Sequence, residues 1–292
     1  MLTVGSLFAG IGGIDLGLER DGMQVRWQVE IEDFPTRVLE RHWPSVTRHR
    51  DVRQVGKHNL EPVDLICGGF PCQDLSVAGR RAGLAGERSG LFFEFMRVVA
   101  ELAPRWVLIE NVPGLLSSNG GRDMGTVLGA LGELGYGWAY RVLDAQYFGV
   151  AQRRRRVFIV GCLGDAASAV QVLFEPESCE GDPPPRRTAG RVASDLPASG
   201  AGTSRTGNER TEVSFLVWME QSAAMFGAVR RLTPRECERL QGFPDDWTLI
   251  DGDKTPDAPR YRALGNAVAV PVAEWIGRRI MLVEAQRAGA AS

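Results

Sequence analysis

The chain has 292 residues, 44% apolar and 24% charged. This is ordinary globular composition, long enough for one sizeable core with a smaller appendage, and it excludes a disordered or fibrous polymer. A formal net charge of −2 excludes a uniformly basic surface, so contact with a polyanion has to come from a local patch.

Several cell-biological classes drop out on simple counts. No run approaches the ~18 apolar residues that cross a bilayer, and residues 1–10 lack a basic region ahead of an apolar core. The five cysteines show neither the CxxC spacing of a zinc site nor the density of a secreted disulfide scaffold. A soluble cytoplasmic protein without a metal or membrane contact is expected. Lys57 and Lys254 are the only lysines, and the arginine excess accompanies abundant alanine, glycine and proline. It reads as compositional bias, so only arginines placed by a motif carry weight.

In chain order, residues 2–8 read as a first strand, followed by the glycine-rich turn 10–13 and a helix through Leu18. Residues 24–30 read as a second strand and 34–41 as its helix, with further strands at 63–67, 106–110 and 156–161 and helices at 92–102 and 124–134. Alternating apolar runs and amphipathic stretches predict an α/β fold, a parallel sheet with helices on both faces. From about 165 to 227 the chain turns polar and rich in breakers, which predicts loop. Thr233, Pro234 and Glu236 then make a capping box with proline at the first helical position, predicting a helix through Leu240. Residues 267–285 carry helical spacing and are expected to pack back on the sheet. The division that follows is one domain from 1–162 and 262–292 and a small unit over 163–261, with loop at about 180–212.

The turn Phe8-Ala9-Gly10-Ile11-Gly12-Gly13 lets a backbone approach a ligand closely, but it matches neither GxGxxG nor GxxxxGK[ST]. A nicotinamide cofactor or a nucleoside triphosphate is disfavoured, and an adenosine cofactor without phosphates stays open. Glu30, about 20 residues on, ends the second strand where a carboxylate accepts from ribose hydroxyls. Gly68-Gly69-Phe70-Pro71-Cys72-Gln73 follows another strand, so the Cys72 thiol is expected at the carboxyl edge of the sheet. Cys67 and Cys162, inside strands, read as small buried apolar residues. Residues 74–89 form a glycine-rich basic loop able to close over a polyanion, and Glu110-Asn111-Val112 ends a further strand. In Gln152-Arg153-Arg154-Arg155-Arg156, alternation sends Arg154 and Arg156 to one face.

Together and in this order, these elements resemble the cytosine-C5 DNA methyltransferases of bacteria and phages: FAGIGG, Glu30, Asp51-Val52, GGFPCQ, ENV, QRRRR, RRLTPRECERLQGFP and RALGNAV. The resemblance implies a Rossmann-like S-adenosylmethionine-dependent sheet plus a small irregular target-recognition domain, placed in a bacterial cytoplasm and at home in a restriction–modification system. It implies that Cys72 attacks C6 of a flipped-out cytosine, that Glu110 contacts N3, and that Arg156 and Arg154 contact O2. The donor would meet Phe8, Gly10, Gly12, Glu30, Asp51, Val52, Leu91, Asn266 and Ala267. Gln73, Ser76, Arg80, Arg81 and Arg88 would contact the duplex. A monomer is expected, with room for a partner in target recognition. The segment before RRLTPREC is short for the family, which predicts a short recognition site. Methylation of cytosine in tRNA and an inactive DNA-binding homologue are the rival readings, the second disfavoured by the intact Cys72, Glu110 and Arg156.

Overall fold

Along the central strands, alternate apolar side chains are buried on opposite faces, as a period of two dictates. Leu65, Cys67 and Leu108 enter one core, and Ile66, Val107 and Ile109 enter the other. A computed structural model describes residues 1–71, 90–174, 215–216 and 229–290. Its main sheet has seven strands: β1 Thr3–Leu7, β2 Gln24–Val29, β3 Thr47–His49, β4 Leu65–Gly68, β5 Trp106–Asn111, β6 Tyr136–Asp144 and β7 Arg155–Leu163. Their spatial order is β3-β2-β1-β4-β5-β7-β6.

Strands β1 to β5 are parallel, whereas β7 runs antiparallel to both β5 and β6. The sheet is therefore mixed, not wholly parallel as the alternation predicts. The physical reason lies between β6 and β7, where the connection holds no crossover helix, and a parallel pair requires one. This reversal puts the start of β7 at the same sheet edge as the ends of β1 to β5, with Glu110 opposite Phe158.

Helices α1 Gly13–Arg20, α2 Asp33–His42, α3 Gly90–Leu102, α4 Arg122–Glu133, α5 Ala166–Leu173, α6 Pro234–Leu240, α7 Asp257–Asn266 and α8 Val270–Ala290 complete the described part of the chain, beside a second small sheet of β8 Phe215–Leu216 and β9 Val229–Arg230. Helix α8 packs on α1, with Ile276 and Ile280 in the same core as Ile14 and Leu18. A third cluster joins Ile11, Val38, Leu39 and Trp43 to Cys237, Phe243, Trp247 and Leu264. Thus α5, α6 and α7, all inside the span 163–266, lie on the main sheet or its helices. The capping box is formed, with Glu236 N–H donating to Thr233 Oγ1 at 3.3 Å and Thr233 N–H to Glu236 Oε2 at 2.7 Å. No helix among the described residues is long and apolar enough to cross a membrane.

Candidate active site

The end of β1 turns sharply through left-handed backbone, with φ of 54° at Phe8, 57° at Gly10 and 79° at Gly12. Two glycines there serve different needs. A Cβ at Gly13 would lie 2.7 Å from the Val268 carbonyl oxygen, whereas one at Gly10 would meet nothing within 4 Å. Gly13 thus admits the C-terminal segment, and Gly10 supplies conformation and leaves open space.

Glu30 braces this turn. Its Oε2 accepts from Gly10 N–H and its Oε1 from Glu32 N–H, both at 2.8 Å, and burial pushes its pKa up. Each oxygen takes one backbone donor, and a carboxylate offers about four acceptor positions, so capacity remains for a pair of hydroxyls. That spare acceptor capacity fits a ligand that carries hydroxyls. The Trp247 indole donates to the Ile11 carbonyl at 2.9 Å and locks the turn from behind.

Along the same edge, the Asp51 carboxylate accepts from Arg53 N–H at 3.0 Å, and the Arg53 side chain holds its pKa low. Val52 is buried, with its carbonyl accepting from Arg97 at 3.0 Å. Leu91 packs at the margin of the α3 core. Asn266 is exposed between the buried Gly265 and Ala267. No group of three or more potential metal ligands is found among the described residues.

Next to the turn, β4 and β5 end side by side. A Cβ at Gly69 would lie 2.7 Å from Glu110 Oε2, so the absence of a side chain there lets the backbone rest against this carboxyl group. Asn111 donates from Nδ2 to the Phe70 carbonyl at 3.1 Å, pinning the Gly69-Phe70-Pro71 turn to β5. Glu110 pairs with Arg156, Oε1 to Nε 3.0 Å, and both side chains are largely buried. Burial moves the Glu110 pKa up, and the Arg156 and Arg154 guanidiniums hold it back.

Residues 153 and 155 face outward while Gln152, Arg154 and Arg156 turn inward, as the alternation requires. Arg156 reaches Glu110. Arg154, only 2% exposed, donates from Nη2 to the carbonyls of Gly265 at 2.8 Å and Ala267 at 2.7 Å. Cys72, Gln73, Ser76, Arg80, Arg81 and Arg88 lie outside the described residues, as does most of the breaker-rich stretch. Cys67 and Cys162 are buried, as their strand positions predict, and burial pushes both thiols up. The roles of Asn111 and Gly69 in seating the turn were not read from the sequence. Their signal was present in the ENV and GGFPC elements, but a hydrogen bond across strands has no sequence spacing.

Residues 2–211 and 186–282 match the profile of a family described as C-5 cytosine-specific DNA methylase. The chain is 35% identical to the Type II methyltransferase M2.BsuMI of Bacillus subtilis strain 168, over 96% of this chain and 75% of that protein. It is 32% identical to the Type II methyltransferase M.Eco47II of Escherichia coli, over 96% of this chain and 78% of that protein. Among solved structures, the S. pombe Dnmt2 methyltransferase superposes with a TM-score of 0.73 at 16% identity, covering 98% of this chain and 99% of that one. That likeness extends the fold, a Rossmann-like methyltransferase sheet, over nearly the whole chain. The paired carboxyl and guanidinium at the sheet edge, the glycine turn beside them and the matched profile converge on one assignment: the chain belongs to the C-5 cytosine-specific DNA methylase family.

Proposed function

We propose that the protein transfers a methyl group from S-adenosylmethionine to C5 of a cytosine rotated out of duplex DNA, with Cys72 as the nucleophile. The observation that carries this reading is the Glu110–Arg156 pair set against Gly69. Gly69 stands three residues before Cys72 in the sequence, which supports Cys72 as the nucleophile for a base held by Glu110.

C6 of a stacked base is out of reach of a protein thiol, so the cytosine leaves the stack at a cost of a few kcal/mol. The Cys72 thiolate adds to C6, forming the C–S bond and shifting electron density to C5, which becomes an enamine carbon. Glu110, whose pKa burial raises, would share a proton with N3 as charge builds there. Arg156 holds fixed positive charge beside the same region and suits the cytosine O2. When bound, S-adenosylmethionine would supply the electrophilic methyl that C5 takes up, leaving S-adenosylhomocysteine. Loss of the C5 proton to a base then expels Cys72 as the thiolate by elimination, with the N3 proton going back to Glu110, and restores the aromatic ring.

The cofactor would be held by Phe8, Gly10 and Gly12 of the turn, Glu30 at the ribose, Asp51 and Val52 at the adenine, Leu91 nearby, and Asn266 with Ala267 at the methionine end. The remaining hydrogen-bonding capacity of Glu30 supports that placement. Residues 163–261 would include the target-recognition unit, and Gln73, Ser76, Arg80, Arg81 and Arg88 would meet the duplex.

Purified protein with labelled S-adenosylmethionine should label duplex DNA at cytosine C5. Cys72→Ala should abolish turnover, a fall of at least about a thousandfold, while donor affinity measured by calorimetry stays within about twofold. Normal methylation by Cys72→Ala would defeat the mechanism, and label appearing only in tRNA would defeat the substrate.

A further inference from the structure

The two inward arginines of QRRRR point to different halves of the site. Arg156 ends at Glu110. Arg154 ends on the turn between α7 and α8, where one of its nitrogens donates to the carbonyls of both Gly265 and Ala267. Those carbonyls flank Asn266, the exposed residue of that turn. The arginine is itself immobilised at its backbone. Its N–H donates to Asp144 Oδ1 at 3.0 Å, and its carbonyl accepts from Ala145 N–H at 3.0 Å.

The turn that Arg154 holds is also in contact with the glycine-rich turn. The Val268 carbonyl sits 2.7 Å from where a Gly13 Cβ would be, closer than any real side chain tolerates. Gln241 adds a second tie, from its Nε2 to the Leu264 carbonyl at 2.6 Å. The short span 264–268 is thus pressed onto the donor side of the edge and gripped from the base side. A guanidinium nitrogen bonded to two carbonyls holds its end of the side chain against the turn, and two backbone oxygens two residues apart fix the direction in which the residue between them projects.

We propose that Arg154 is a positioning residue for the methyl donor: it clamps the 265–267 turn so that Asn266 and the glycine-rich turn keep their spacing, while Arg156 is the arginine paired directly with Glu110 on the cytosine side. This rests on the proposed function and deepens it. Arg154 ties the donor half of the site to the strand that carries the base half.

The test measures S-adenosylmethionine affinity and steady-state kinetics on duplex DNA for the full chain and for Arg154→Met, Arg154→Lys and Arg156→Met. Arg154→Met should raise both Kd and KM for S-adenosylmethionine about tenfold or more, a larger effect than that on kcat at saturating donor, where loss of the Arg154 charge that acts on Glu110 is also felt. Arg156→Met should show the opposite split, a large fall in kcat with donor Kd within about twofold. Arg154→Lys keeps the charge and one ammonium, so it should shift donor Kd in the same direction by less, and it serves as the readout should the Met variant fail to fold. A merely structural role would lower the melting temperature and the active fraction, which scales kcat and leaves KM alone. Unchanged donor Kd in the folded Arg154 variants would overturn the clamp. Failure of the parent chain to bind or use S-adenosylmethionine would overturn the proposed function instead, before any variant is compared.

Discussion

Asp15 carries a carboxyl group into the fully buried space beneath the glycine-rich turn, accepting from Ser6 Oγ and Gln28 Nε2 at 3.1 Å each. Burial outweighs those bonds and lifts its pKa from 3.8 to about 6. Because the folded pKa lies above the unfolded one, the native state binds the proton more tightly. The cost of ionisation is absent below about pH 4, grows between about pH 4 and 6, and is complete above that window. At about 1.4 kcal/mol per pKa unit, it amounts to roughly 3 kcal/mol. Asn keeps the shape without the charge, its Oδ1 accepting from Gln28 and its Nδ2 donating to the Ser6 hydroxyl, so Asp15→Asn should gain stability on the parent across that window and hold the gain at neutral pH. Urea unfolding of both proteins at a series of pH values checks this, and a pH-independent difference would refute it. Residue identities at the site were legible in the sequence because Glu30 and Glu110 sit at strand ends and the chemistry of a carboxylate is local. The end point of Arg154 was not, since its partners lie 111 and 113 residues away.

Helix α1 meets α8 through Gly17, where an added Cβ would lie 2.6 Å from Ala273 Cβ and 2.7 Å from Glu274 N. The helices approach this closely only because the position lacks a side chain. Gly17→Val should therefore destabilise by about 1–3 kcal/mol, the usual cost of overpacking, and lower the melting temperature. Gly129 on α4 is the control: it is exposed and an added Cβ would meet nothing within 4 Å, so Gly129→Ala should stabilise by about 1 kcal/mol through helix propensity. Equal effects of the two changes in one thermal-melt series would defeat the packing argument. The elements that periodicity revealed were those with one buried face, such as α2 and α3. Strand β6 escaped because it is an edge strand, with only Tyr136, Ala139 and Leu143 buried in an irregular pattern. Helix α5 escaped although Asp165 caps it, accepting from Ser168 N–H at 3.0 Å, because it stands in a stretch whose composition reads as loop.

At the scale of the whole molecule, the helices between residues 163 and 266 bear on how much chain the proposed target recognition could use. Helices α5, α6 and α7 lie within the span 163–266 yet are committed to the main cores through Val172, Cys237 and Leu264. Each base pair read directly needs its own side chain at a groove edge, often a bidentate one. If, as proposed, target recognition falls to what is left of residues 163–261, a short target of only a few base pairs is expected. Bisulfite mapping of DNA from cells expressing the protein should show methylation at such a site, and protection of one long motif alone would contradict this. The amino-acid sequence by itself determined the α/β class, the glycine turn, the capped helix at Thr233 and the residue types at the sheet edge, since each depends on neighbours within about 20 residues. Only the tertiary structure decided that β7 runs antiparallel, that Glu110 meets Arg156, and that Arg154 turns away to the 265–267 carbonyls. Those outcomes depend on which segments share the buried space around the sheet, and that is settled by packing the whole chain at once.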